Sequence, residues 1–228
     1  EAIMNFTKEK RSITGQNISM ENFEVSESFQ KQFNPEFTTI SNYLQDTITW
    51  LEGEMDGLDA IFGPSSMMTL IHRLQLDLSG AQISFTAPLS IYAKLEAGPV
   101  LVSDMFKLYR FENMLYRMEL TGAEIDGFLE HAVGLWFNTM KSPGDHLLQF
   151  KPGQAGRLAG PYYNFSSAAG IKYTIDVTKN AGERVEIQSL SDGSPFNMKV
   201  SYSVAVNSYR GNGGGGHLIT GAGIPKEE

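Results

Sequence analysis

Apolar residues recur at three- and four-residue spacing in three stretches of the chain and alternate with polar residues in several others. In "PEFTTISNYLQDTITWLEG", Phe37, Ile40, Leu44, Ile48 and Leu51 mark one face of a helix that Gly53 ends. A second helix is read from "GPSSMMTLIHRLQLDLSG". Pro64 and Ser65 open it, Met67, Ile71, Leu74 and Leu78 form its stripe, and Gly80 closes it. "AQISFTAP" is a short buried strand stopped at Pro88, and "NMLYRMEL" is an alternating strand. Thr121 and Glu124 in "TGAE" fit a capping box. The helix they start carries Ile125, Phe128, Leu129, Ala132, Val133 and Trp136 on one face. Residues 139–162 form a loop rich in Gly, Pro and Lys. Three more strands follow in "IKYTIDV", "RVEIQSL" and "KVSYSVAV", the last two joined by the turn "SDGSPFN".

This order lacks regular βαβ alternation. It predicts an α+β fold, a single domain of mixed sheets covered by helices, over residues 36–228. Residues 1–35 are polar, with apolar residues only sporadically placed. "EAIMNF" and "NFEVSESF" suggest short strands there that bury little, so the segment reads as the tail of a preceding unit or a linker.

Composition narrows the classes. The chain has 228 residues, 41% of them hydrophobic, enough for one large domain with a proper core. Lys+Arg 18 against Asp+Glu 26 gives a net charge of -8, a surface that repels nucleic-acid polymers. The absence of cysteine removes disulfides, thiolate metal sites and cysteine nucleophiles. No apolar run approaches the roughly 20 residues of a membrane span. The chain begins at Glu1 without methionine and reads as a mature product or a fragment.

Catalytic constellations are missing. His72, His131, His146 and His217 form no HxH or HExxH pair, and no GxSxG elbow is present. His72 and His131 fall inside helices, where a packed or surface histidine is the simpler reading. The most unusual stretch is "SVAVNSYRGNGGGGHL", in which Tyr209 and Arg210 precede Gly211, Asn212 and four consecutive glycines. A phosphate-binding P-loop needs Lys and Ser/Thr after its glycines, and His217, Leu218 and Ile219 stand there instead. A flexible loop after an edge strand is the plainer reading. A second dense aromatic stretch, "DMFKLYRFENMLYR", holds Tyr109, Phe111 and Tyr116 around Asn113. Such aromatics are ordinarily core. Two of them from separate strand ends can also face each other across a slot, where a planar base gains ~1–3 kcal/mol per stacking partner.

"FKLYRFENMLYRMELTGAEIDGFLEHA", "YYNFSSAAGIKYTIDV" and "NSYRGNGGGGHL" together resemble, in the same order, the C-terminal domain of the 5'-nucleotidase family. The likeness runs from about residue 38 to 224. It is greatest to the branch of 2',3'-cyclic-nucleotide 2'-phosphodiesterase/3'-nucleotidases. The resemblance implies a layered α/β/β/α domain that binds the nucleoside part of a substrate. It also implies a preceding metallophosphoesterase domain with two divalent metal ions, and export to the periplasm or cell surface. Residues 1–35 would be the remnant of that domain. The chain has none of the patterns "DxH", "GNHE" or "GHxH", so no catalytic residue, metal or other cofactor is expected within it, and it should be inactive alone.

Carried over by motif, the base-stacking pair is Phe111 and Tyr209, with Asn113 in the supporting turn. Arg210, Asn212, Gly213, Gly214, Gly215 and Gly216 form the loop on the ribose and phosphate side. Two departures favour the cyclic or 3'-nucleotide branch. A glycine near Gly215 stands where true 5'-nucleotidases have an aspartate, and "ISFTAPLS" replaces their arginine-bearing "GGIR"-like turn. The expected partners are a nucleoside or nucleotide and the metallophosphoesterase domain of the same protein. An alternative is a stand-alone binding or interaction module that no longer serves nucleotide hydrolysis, and a complete enzyme with unrecognised catalytic residues is the remote third.

Overall fold

The structure, a computed structural model, describes residues 2–6, 11–15, 17–154 and 156–225. The outer ends of the two expected domains, Glu1 and Glu228, lie outside the described residues. The chain forms two compact units, Glu1–Asp46 and Thr47–Glu228.

In the first unit β1 (Ala2–Phe6) pairs antiparallel with β2 (Arg11–Gly15), Ala2 opposite Gly15. The helix α1 (Glu27–Leu44) follows, with the Ser26 hydroxyl accepting from the Phe29 N–H at 3.4 Å. Two expectations are corrected here. "NFEVSESF" is not a strand, since its end is already helix from Glu27. The helix expected from Pro35 to Gly53 instead runs from Glu27 to Leu44. Its start is set by the Ser26 cap with Glu27 in the first turn. Pro35 lies inside it, and the Thr39 hydroxyl donates to the Pro35 carbonyl at 2.9 Å. Beyond Leu44 the β-branched and aromatic run "TITW" favours extended backbone and becomes β3 (Thr47–Leu51) of the second unit. On α1, Phe29, Phe33, Phe37, Ile40 and Tyr43 recur at helical intervals and are all exposed.

The second unit opens with β3 and β4 (Met55–Asp56), then α2 (Ser66–Ser79), β5 (Ile83–Thr86), β6 (Lys94–Leu95), β7 (Gly98–Leu101) and α3 (Val102–Leu108). It continues with β8 (Leu115–Thr121), α4 (Gly122–Trp136), β9 (Ser167–Ala169), β10 (Ile171–Ile175), β11 (Val185–Leu190), β12 (Ser201–Asn207) and α5 (Ser208–Gly211). The main sheet has the order β8-β12-β5-β9. β12 runs antiparallel to β8 and parallel to β5, with Val204 opposite Ile83. Thus β12 is an interior strand, and the glycine run does not follow a sheet edge.

Alternation along β5 places its neighbours on opposite faces. Phe85 stacks on Phe128 of α4 at 3.9 Å between ring centres. Ser84, one residue earlier, contacts His72 and Gln75 of α2. The sheet is therefore covered by α2 on one side and α4 on the other, as the α+β class requires. The capping box of α4 forms as expected: the Glu124 carboxylate accepts from the Thr121 N–H at 2.6 Å. All six residues of its expected apolar face are buried. The β10–β11 hairpin packs on α4, where buried Glu130 accepts from the Gly182 N–H at 3.1 Å and the Val185 N–H at 2.5 Å.

The stripe of α2 needs correction. Met67 and Ile71 are buried, but Leu74 is 50% and Leu78 77% exposed, while His72 and Gln75 are buried instead. The strand face opposite carries the hydroxyls of Ser84 and Ser167, so α2 meets it with polar side chains. His72 places Nδ1 3.0 Å from Ser84 Oγ and Nε2 3.0 Å from Ser167 Oγ. Burial pushes the His72 imidazole down to about 4.

Candidate functional site

Because β5 and β12 are parallel neighbours, their carboxyl ends open on the same side of the sheet. Ligands of open α/β sheets gather at such ends, where loops diverge. A cleft of about 390 Å³ lies there. One wall comes from Phe85–Ala87 and Leu89, and the second from Phe111, Glu112 and Asn113 after α3. Asn207, Tyr209 and Arg210 at the end of β12, with Tyr163, complete it.

The structure thus brings Phe111, Asn113, Tyr209 and Arg210 to one cleft although about a hundred residues separate the two groups. Phe111 is 43% and Tyr209 44% exposed, so both rings keep free surface. A guanidinium lies against each: Arg110 Cζ is 5.4 Å from the Phe111 ring centre and Arg210 Cζ 5.5 Å from that of Tyr209. The Tyr109 hydroxyl ties the two walls together. It accepts from the amides of Asn113 at 3.2 Å and Asn207 at 3.4 Å. The Ser208 hydroxyl donates to Asn113 Oδ1 at 3.3 Å, and Met114 and Ser208 exchange further bonds beside it.

Arg210 is oriented inward and is only 5% exposed. Its Nη1 donates to the Gly214 carbonyl at 2.6 Å and to His217 Nδ1 at 2.9 Å. Its Nη2 donates to the Tyr163 carbonyl at 2.9 Å and to Ser166 Oγ at 3.0 Å. The side chain therefore joins the loop before β9 to the glycine loop. It also fixes Tyr163, which meets Tyr209 edge-to-face at 6.4 Å and 83°. Burial pushes the Arg210 guanidinium down to about 10, against the opposing influence of Tyr209.

His217 completes this buried group at 0% exposure. Its Nε2–H donates to the Asn164 carbonyl at 3.0 Å, leaving Nδ1 to accept from Arg210. Burial, then Arg210 and His131, push its imidazole down to about 3, so it is neutral. His131 on α4 donates from Nε2 to the Gly215 carbonyl at 2.9 Å. Both histidines support the loop.

The glycines have a steric reason. Gly213, Gly215 and Gly216 have φ of 85°, 72° and 77°. At Gly214 a Cβ would lie 2.5 Å from the Tyr209 carbonyl oxygen and 2.6 Å from its ring. The loop thus backs the Tyr209 ring, while Asn212 is exposed on its outer side. A π-helical turn, His217–Gly221, follows the run, where no helix was expected.

Tyr163, Asn207 and Thr86 also line the cleft, and the sequence motifs that contain them assign them no role. Only the alternating strand ends at Thr86 and Asn207 could have flagged two of them. Among the described residues no group of three or more His, Asp or Glu stands close enough to hold a metal ion. No helix of the described residues is long and apolar enough to cross a membrane.

A family model for the 5'-nucleotidase C-terminal domain matches residues 48–221. The trifunctional nucleotide phosphoesterase protein YfkN of Bacillus subtilis is 30% identical over 147 residues, covering 57% of this chain and 9% of that protein. A Staphylococcus aureus protein named as a 5'-nucleotidase, crystallised with alpha-ketoglutarate, superposes with a TM-score of 0.76 at 20% identity. The match covers 99% of this chain and 43% of that one. The 5'-nucleotidase precursor of Thermus thermophilus follows with a TM-score of 0.61 and 24% identity, covering 85% and 36%. At these identities the structures show a shared fold. The chain spans less than half the length of each of these relatives.

Proposed function

The chain belongs to the family of 5'-nucleotidase C-terminal domains, and from that premise we propose that it is the nucleoside-binding domain of an exported, metal-dependent nucleotide phosphohydrolase. The base stacks between Phe111 and Tyr209, and the sugar and phosphate extend outward. One observation carries this reading: two half-exposed aromatic rings, from distant parts of the chain, line one cleft of about 390 Å³ at the carboxyl ends of parallel strands. Two stacking partners contribute roughly 2–6 kcal/mol together. Asn113 and Asn207 add amide groups at the walls.

Metal chemistry belongs to a second domain in this reading, because the described residues hold no fitting ligand set. In such a division the metals would supply the activation of water in that other domain, and this chain's side chains orient the base so that the phosphate is presented there. The exposed apolar stripe of α1 supports the first unit as the join to that domain, the boundary expected at residue 35 falling inside the helix. The test is kinetic. In the full-length enzyme, Phe111→Ala or Tyr209→Ala should raise KM about ten-fold or more, as expected for one lost stacking partner, with metal content unchanged. Lost metals, or unaltered kinetics, would refute the assignment.

A further inference from the structure

Among the described residues two buried side-chain polar atoms lack a hydrogen-bond partner, Trp136 Nε1 and Thr86 Oγ1. Trp136 lies in an aromatic stack between Phe137 and Phe165, away from the cleft lining. Thr86 is different, because it lines the cleft and is 4% exposed. Its strand shows how the chain ordinarily treats such a group. Ser84, two residues earlier on the same face, is fully engaged: Gln75 Nε2 donates to its hydroxyl at 2.8 Å, and His72 Nδ1 is 3.0 Å away. Thr86 stands one step beyond that network. It pairs in register with Ser167, whose hydroxyl is 3.0 Å from His72.

A buried hydroxyl left without a partner costs about 1–3 kcal/mol. Valine would fill the same space without that cost and suits a strand at least as well. We propose that the Thr86 hydroxyl is reserved for the ligand, and that it hydrogen-bonds the polar edge of the planar ring held between Phe111 and Tyr209. This rests on the nucleoside reading of the cleft given above. The edge that enters deepest meets the end of β5, and a hydroxyl both donates and accepts. It therefore satisfies a ring nitrogen, an amino group or an oxo group. One rotamer step of a threonine carries its hydroxyl to the site its methyl held, the methyl moving to that of the Cβ hydrogen, so the group can turn to the ligand without moving the strand.

The test compares the wild-type chain with Thr86→Val and Thr86→Ser, titrated with adenosine and melted without it. The inference expects Thr86→Val to melt at the same temperature or higher and to bind adenosine about ten-fold more weakly. Thr86→Ser should keep near-wild-type affinity. Unchanged affinity in Thr86→Val overturns the inference while leaving the nucleoside cleft intact. A lower melting temperature for Thr86→Val also overturns it, because the hydroxyl would then have a partner within the protein. If wild-type protein fails to bind adenosine, the nucleoside reading itself falls, and this inference with it.

Discussion

Replacing Gly214 by alanine tests whether the glycine run exists to seat the Tyr209 ring. A Cβ at this position would lie 2.5 Å from the Tyr209 carbonyl oxygen and 2.6 Å from its ring carbons. Ordinary contact begins at 3.4 Å, so the ring must retreat by at least 0.8 Å (3.4 less 2.6) or the backbone must shift. Neither is free, because the Gly214 carbonyl is held by Arg210 and the Gly215 carbonyl by His131. Overpacking of this kind costs about 1–3 kcal/mol. For a chain of this size that lowers Tm by roughly 2–4 °C per kcal/mol. The displaced ring should also abolish most of its stacking on a bound base. Gly144→Ala is the control, since a Cβ there meets nothing within 4 Å and its φ is not positive. It should be neutral or stabilising by about 0.4–1 kcal/mol. Thermal melts and an adenosine titration of both variants decide the matter. If Gly214→Ala melts and binds like wild type, the steric account of the run is wrong.

Two further outcomes are expected. His72 and His217 are held neutral by burial, at about 4 and about 3, whereas the unfolded chain protonates them near 6.5. The unfolded state therefore binds more protons below that pH. Stability should fall from pH 6.5 toward 4 by up to about 1.4 kcal/mol per pH unit for each histidine. Asp126, pushed up by burial and by Glu130, offsets part of this. Urea midpoints at pH 7 and pH 5 check it, and equal midpoints would contradict the buried neutral imidazoles. Arg210→Lys should cost about 2–3 kcal/mol, because a single ammonium cannot bridge the Gly214 and Tyr163 carbonyls and Ser166 together. Undiminished stability by urea titration would remove Arg210 from its bridging role.

The legible parts of this chain were those where local and tertiary preferences agree. The α4 helix announced itself through Thr121, Glu124 and six apolar residues that all turn out buried. The α1 boundaries did not, because the apolar period at Phe37 and Ile40 continues by chance through Ile48 and Leu51, which are strand. The α2 stripe misled for a different reason. Its partner surface is polar, so His72 and Gln75 face it and Leu78 faces solvent. Short elements such as β6 and α3 bury too few residues to show a period. At the cleft, Phe111 and Tyr209 were accessible through motif likeness. Tyr163, Asn207 and Thr86 join them only through sheet topology and the Arg210 bridge, which no local pattern encodes.

On the proposed reading Phe111 and Tyr209 hold a nucleoside between them. A titration of this chain with adenosine, followed by NMR shifts, tests it most directly, with Phe111→Ala and Tyr209→Ala alongside. Binding should saturate, with shifts concentrated at residues 85–89, 111–113 and 207–210, and should be lost in both variants. An absence of binding at millimolar ligand, or binding that survives both substitutions, would contradict it.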